Sequence, residues 1–161
     1  MKLIRVFIDR NRMKNRRQEG QSLVEASVTV VFLLLIILVT FEFGRVFFTY
    51  LNVLSAARAG ALYASNHPEW LANLSTDSPE YVEYSSRIIY EIRGAGLDTT
   101  YLSFSLPEVD TVEVGAPVRV TVTYELSTFT SGMRFPFFGR FGLPSTYKIT
   151  ASVEMPIRGG G

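Results

Sequence analysis

The sequence predicts an α+β protein: a long N-terminal helix that crosses a membrane and continues as a stalk, then a small domain with a short helix and an antiparallel β-sheet. Three observations predict it. Residues 26–41 carry no charge, the pattern from 42 to 65 stays helical without a proline, and three later segments alternate apolar and polar residues with period two. With 161 residues and 47% hydrophobic content, the chain has room for one ordinary domain plus an appendage, and disorder throughout is excluded. The domain boundaries read from the sequence are 1–20 for a basic leader, 21–66 for the membrane and stalk helix, and 67–161 for the outer domain.

The leader is the most polarised part of the chain. Residues 1–18 hold seven cations and one anion, a net +6 in a protein whose total is only +1. Lys and Arg flanking a span are retained on the cytoplasmic side. The N-terminus is therefore expected inside and the domain outside, as a single-pass protein facing the periplasm or the cell surface. No nucleic-acid partner is expected, because basic residues beside a span are topogenic.

The span itself is ASVTVVFLLLIILVTF (26–41), about 24 Å of helix against a hydrocarbon core of roughly 30 Å. Extension to Leu23 takes in Glu25, and extension forward takes in Glu42 and then the aromatics Phe43, Phe47, Phe48 and Tyr50, suited to an outer interface. A small-x-small site for ordinary signal cleavage appears only at Ala57-Arg58-Ala59, too far beyond the apolar run. The first strong helix stop is Asn66-His67-Pro68, so one helix from about Ser22 to Ser65 is expected. Its distal part has small residues spaced by four, Ala56-Gly60-Ala64 and Ala57-Ala61, suited to packing either on its own domain or on a neighbouring subunit. Glu42 and Arg45, three apart, are expected to pair in solvent or at headgroup level.

Beyond a loop reaching residue 79, Ser78-Pro79-Glu80 is a helix start, and Tyr81, Tyr84, Ile88 and Ile92 make one apolar stripe over 79–93. Segments 100–106, 117–127 and 146–157 alternate as strands with one polar face, with a further short strand within 109–114. Between the last two lies the phenylalanine- and glycine-rich stretch 128–144, read either as a flap over the core or as a partner-binding surface.

Chemistry is constrained by absence. There is no cysteine and one histidine, His67, which excludes disulfides, thiolate metal sites and multi-histidine centres. No phosphate loop or defensible catalytic set appears, so no enzyme, cofactor or metal is expected. The residue that demands explanation is Glu25. Insertion scales put an acid at mid-membrane at about 3 kcal/mol, less near the boundary. Cutting after Gly20 would create an α-amine on Gln21, and the amine of an incoming subunit would neutralise Glu25 of one already assembled.

Gly20-Gln21-Ser22-Leu23-Val24-Glu25, the apolar run, Glu42-Phe43-Gly44-Arg45 and the segment Asn52 through Ala56-Ala57-Arg58-Ala59-Gly60-Ala61 resemble the TadE-like pseudopilins of tight-adherence (Tad) pilus systems. The resemblance covers about residues 20–65. It departs from the usual processing motif at Ala26, where an aromatic commonly follows the glutamate. It implies a pilin-like fold and a minor pilin that acts in assembling an adhesion pilus. Gly20 and Gln21 would be the processing site and Glu25 the assembly residue. The implied partners are a prepilin peptidase, other pilins of the same pilus, an inner-membrane assembly platform and membrane lipid. Two other readings fit the same residues: an uncleaved single-pass accessory protein of the apparatus, and a membrane-tethered ligand-binding module.

Overall fold

The computed structural model describes residues 2–129 and 145–158, with side chains described from residue 20 onward. The phenylalanine-rich stretch therefore lies, from residue 130, outside the described residues. By its internal contacts the chain divides into two compact units, Met1–Phe43 and Gly44–Gly161.

The first unit is helical backbone, part of α1 (Lys2–Ser65). The helix starts inside the basic leader rather than near Ser22. The six Lys and Arg residues of 5–17 do not oppose it, because Lys and Arg have good helix propensity and the leader contains neither proline nor glycine before Gly20.

The second unit is the α+β domain. It begins with the distal part of α1, followed by α2 (Pro68–Ala72), α3 (Pro79–Gly94), a 3₁₀ turn (Thr99–Tyr101), and strands β1 (Leu102–Phe104), β2 (Glu108–Val109), β3 (Pro117–Ser127) and β4 (Thr146–Pro156). All pairings are antiparallel. β3 is central, with β1 and β2 along one edge and β4 along the other. The β3–β4 ladder runs its full length, from Pro117 opposite Pro156 to Ser127 opposite Thr146. The strand expected within 109–114 is a two-residue element, Glu108–Val109: the chain bends at Asp110 and then turns at residues 114–115, where Gly115 has φ of +91°.

The alternation of β3 is realised in burial. Val118, Val120, Val122, Tyr124 and Leu126 are buried, while the residues between them face outward. The buried face is covered by helices. Tyr84, Ile88 and Ile92 of α3 are fully buried, as are Val53, Ala56, Ala57, Ala61 and Ala64 of α1. The small-residue seam thus packs on its own domain, which decides between the two expected uses. Gly60 shows how close the approach is. A Cβ there would lie 2.9 Å from Ile88 Cδ1 and 3.1 Å from a Tyr84 ring carbon. Ser78 caps α3 as expected, its hydroxyl accepting from the Tyr81 N–H at 3.2 Å.

The segment after Pro68, expected as loop, contains α2. Proline at its first turn fits, and Trp70 and Leu71 are buried by it. Trp70 stands 5.2 Å from Tyr84 between ring centres, and Tyr84 reaches Phe104 of β1 at 6.0 Å, so α2, α3 and the sheet share one aromatic cluster. The end of α1 is tied to the end of β4: Ser65 Oγ donates to the Pro156 carbonyl at 2.7 Å, and the Arg158 N–H donates to the Ser65 carbonyl at 2.8 Å.

Two outcomes follow from this packing. Gly60→Val is expected to destabilise the domain by about 1–3 kcal/mol through overpacking against Ile88 and Tyr84. Thermal unfolding of the detergent-solubilised chain checks it, and unchanged stability would show that the seam is loose. Burial also pushes the Tyr84 phenol well above its ordinary value of 10. The unfolded chain loses that proton near pH 10 and the folded chain keeps it, so stability is full below that pH and falls as pH rises past it. Tyr84→Phe should cost about 1 kcal/mol at neutral pH, through loss of the 2.9 Å bond to the Ser105 carbonyl, and flatten the alkaline decline in a pH series of melts.

Candidate functional site

The candidate site is the first described stretch of α1, where Gly20, Gln21 and Glu25 lie on consecutive turns of helix. Residues 20–37 are all exposed, and among them are Leu23, Val24, Val28, Val30, Val31, Phe32, Leu33 and Leu34. Exposed apolar side chains on every face of a helix have no stable place in water. The stretch Gly20–Ser65 includes a window long and apolar enough to cross a membrane, with none of that window buried in the protein.

The polar atoms of this stretch are handled as an apolar solvent requires. Ser27 Oγ donates to the Val24 carbonyl at 2.7 Å, Thr29 Oγ1 to the Glu25 carbonyl at 2.9 Å, and Thr40 Oγ1 to the Ile36 carbonyl at 2.8 Å. These three hydroxyls are satisfied inside their own helix, so none of the three demands an outside partner. Glu25 is different. It is the one charged residue between Gly20 and Phe41, and its carboxylate is exposed.

Gly20 also lacks a packing reason. A Cβ built there meets nothing within 4 Å, whereas Gly60 is demanded by Ile88 and Tyr84. Glycine inside a helix costs about 1 kcal/mol relative to alanine, so Gly20 weakens α1 at the residue that precedes Gln21 with no gain in packing.

At the other end of the apolar run, Glu42 was expected to pair with Arg45 in solvent or at headgroup level, or else to meet a neighbouring subunit. It is instead buried, at 5% exposed. Arg45 donates from its guanidinium to the Ser127 carbonyl at 3.2 Å, at the end of β3. His67, read as a loop residue, stands just before α2, its ring stacked 4.0 Å from that of Tyr63, with Nδ1 2.7 Å from the Tyr63 carbonyl. Among the described residues no group of His, Asp or Glu side chains is arranged to hold a metal ion. The acids Glu108, Asp110 and Glu154 share a small cleft with Arg119, whose guanidinium is ion-paired with Glu154.

Comparison with known families settles the resemblance. Residues 20–62 match the TadE-like protein family. The TadE-like segment lies wholly within α1, from Gly20 through the apolar run into the seam that packs on the domain. TadE-like proteins are associated with Tad pili as structural or accessory components, and the match over residues 20–62 suggests a Tad pilus-associated protein. It says nothing of the domain after residue 62. No curated protein and no solved structure matches the chain.

Proposed function

We propose that this chain is a TadE-like minor pilin, cut after Gly20 by a prepilin peptidase and acting in the assembly of a Tad-type adhesion pilus. In this reading α1 anchors the chain in the membrane with its basic leader in the cytoplasm and the α+β domain outside, and later holds the chain among other pilins. The observation that carries it is the conjunction at one helix edge. A glycine with no packing role precedes Gln21, and an unburied carboxylate follows five residues after that glycine on an otherwise uncharged surface.

Cutting changes the electrostatics of Glu25 in two ways. It removes the residues that place Glu25 in the helix interior, so that Glu25 falls in the first turns of the mature helix. Glu25 is then the fifth residue, just past the unpaired N–H groups of the first turn, where the helix dipole favours an acid only weakly. It also creates an α-amine on Gln21. Within the membrane an amine from one subunit and the Glu25 carboxylate of another neutralise one another, which offsets the cost of an acid at the apolar boundary and sets the axial register between subunits. The inner-membrane assembly platform and the other pilins supply the setting for that pairing.

The test is a pair of variants in cells that carry the whole pilus system. Gly20→Phe is expected to leave a precursor longer by the leader, seen as a larger band on immunoblots. Glu25→Ala is expected to be cut normally and to lose assembly, seen as absence of the chain from sheared pili. Normal pili built from the Gly20→Phe precursor would refute the processing step, and normal incorporation of Glu25→Ala would refute the pairing.

A further inference from the structure

β4 has 11 residues and, among the described residues, is paired on one side only, with β3. The register shows which of its backbone groups are free. Thr128 N–H donates to the Ser145 carbonyl and Ile157 N–H to the Ala116 carbonyl, so the odd-numbered residues of β4 face β3. The N–H and C=O groups of Thr146, Lys148, Thr150, Ser152 and Glu154 point away from the sheet, and among the described residues nothing bonds to them. Long edges of this kind are usually blunted by charge, proline or a bulge. Here the register of β4 is unbroken, its one proline stands at the last residue, and its two charges, Lys148 and Glu154, are paired with Glu125 and Arg119 of β3.

The side chains beside this backbone row are sorted by face. On the inner face Tyr147, Val153 and Met155 are only half-buried, next to the buried Ile149 and Ala151. On the outer face Thr150 and Ser152 share hydroxyl contacts with Thr123 and Thr121 of β3, at 3.0 and 3.1 Å. Lys148 and Glu154 flank them, paired with Glu125 and Arg119 respectively. A further strand on this edge would extend two rows of hydroxyls and two rows of alternating charge, and would cover the half-exposed apolar row.

We propose that the free edge of β4 is a strand-acceptor site for an extended segment of a different polypeptide. That segment is apolar on one face and hydroxyl-rich on the other, with an acid opposite Lys148 and a base opposite Glu154. Main-chain hydrogen bonds supply affinity in such additions, and alternate side chains supply specificity. A second copy of this chain fits poorly, a point that rests on the membrane reading above. The two-fold axis that would pair β4 with itself reverses the helical segment 44–65 lying on the sheet. The two Gly44 ends would then face opposite ways, which anchors in one membrane forbid.

A strand with the pattern of β3 has the required chemistry and serves as the probe. A labelled synthetic peptide of residues 117–127 is titrated into the full chain in detergent micelles, with fluorescence anisotropy as the readout. Saturable one-to-one binding is expected. In the antiparallel register that sets the peptide's Arg119 opposite Glu154, the amides of its Thr121 and Thr123 face β4. N-methylation of those two should weaken binding by about tenfold or more, and N-methylation of Val120 and Val122 should not. A peptide carrying Arg119→Glu and Glu125→Lys should also bind more weakly. Absence of saturable binding, or equal loss from both methylation patterns, would overturn the proposal. So would dimers of the unmodified chain that Ser152→Pro dissolves, since they would show the edge filled by a second copy. None of these readouts depends on cleavage after Gly20.

Discussion

The close approach of α1 to α3 and the sheet is the contact on which the domain depends. It requires that one helix face carry almost no side chain. Ala56, Ala57, Gly60, Ala61 and Ala64 meet that requirement, and Ile88 and Tyr84 fill the space left above Gly60. Larger residues along this seam would lift the helix from the sheet and uncover Val118, Val120 and Val122 of β3. The bonds between Ser65 and the end of β4 then close the domain at its far end. The family match extends beyond the apolar run to residue 62, into this seam. The matched stretch includes most of the surface by which α1 holds its domain, while the elements after α1 are outside the match.

The same helix solves a different problem in its first part. Between Gly20 and Phe41 apolar side chains are exposed on all faces, and the hydroxyls of Ser27, Thr29 and Thr40 bond back to the helix backbone. Such a surface is stable in lipid or against other apolar helices and unstable in water. Glu25 is the exception to this design. In the proposed function its carboxylate meets the amine that cutting after Gly20 creates on a neighbouring subunit.

Much of this was legible in the chain. The uncharged run, the proline-free continuation to Ser65 and the period-two strands each have a physical period that sequence displays directly. The Ser78-Pro79 start and the 117–127 and 146–156 strands appear where the alternation and capping residues put them. α2 was not legible: its five residues sit among Asn66, Asn73 and Ser75, and only Pro68 and Glu69 mark its start. The use of the small-residue seam was open from sequence, because alanine spacing permits packing on any close neighbour. Burial decided it. Glu42 was misread as solvated, since proximity in sequence to a membrane exit says nothing of what covers a side chain. Gly20, Gln21 and Glu25 were legible as a motif, and the structure adds that Gly20 has no packing role.

The identity of the first residue in the membrane-extracted chain tests the processing claim most directly. N-terminal sequencing is done on protein produced with and without a co-expressed prepilin peptidase. Gln21 in its presence and Met1 in its absence is the predicted result. Met1 in both, from cells that build working pili containing the chain, would contradict the account, because the amine meant to meet Glu25 would never be made.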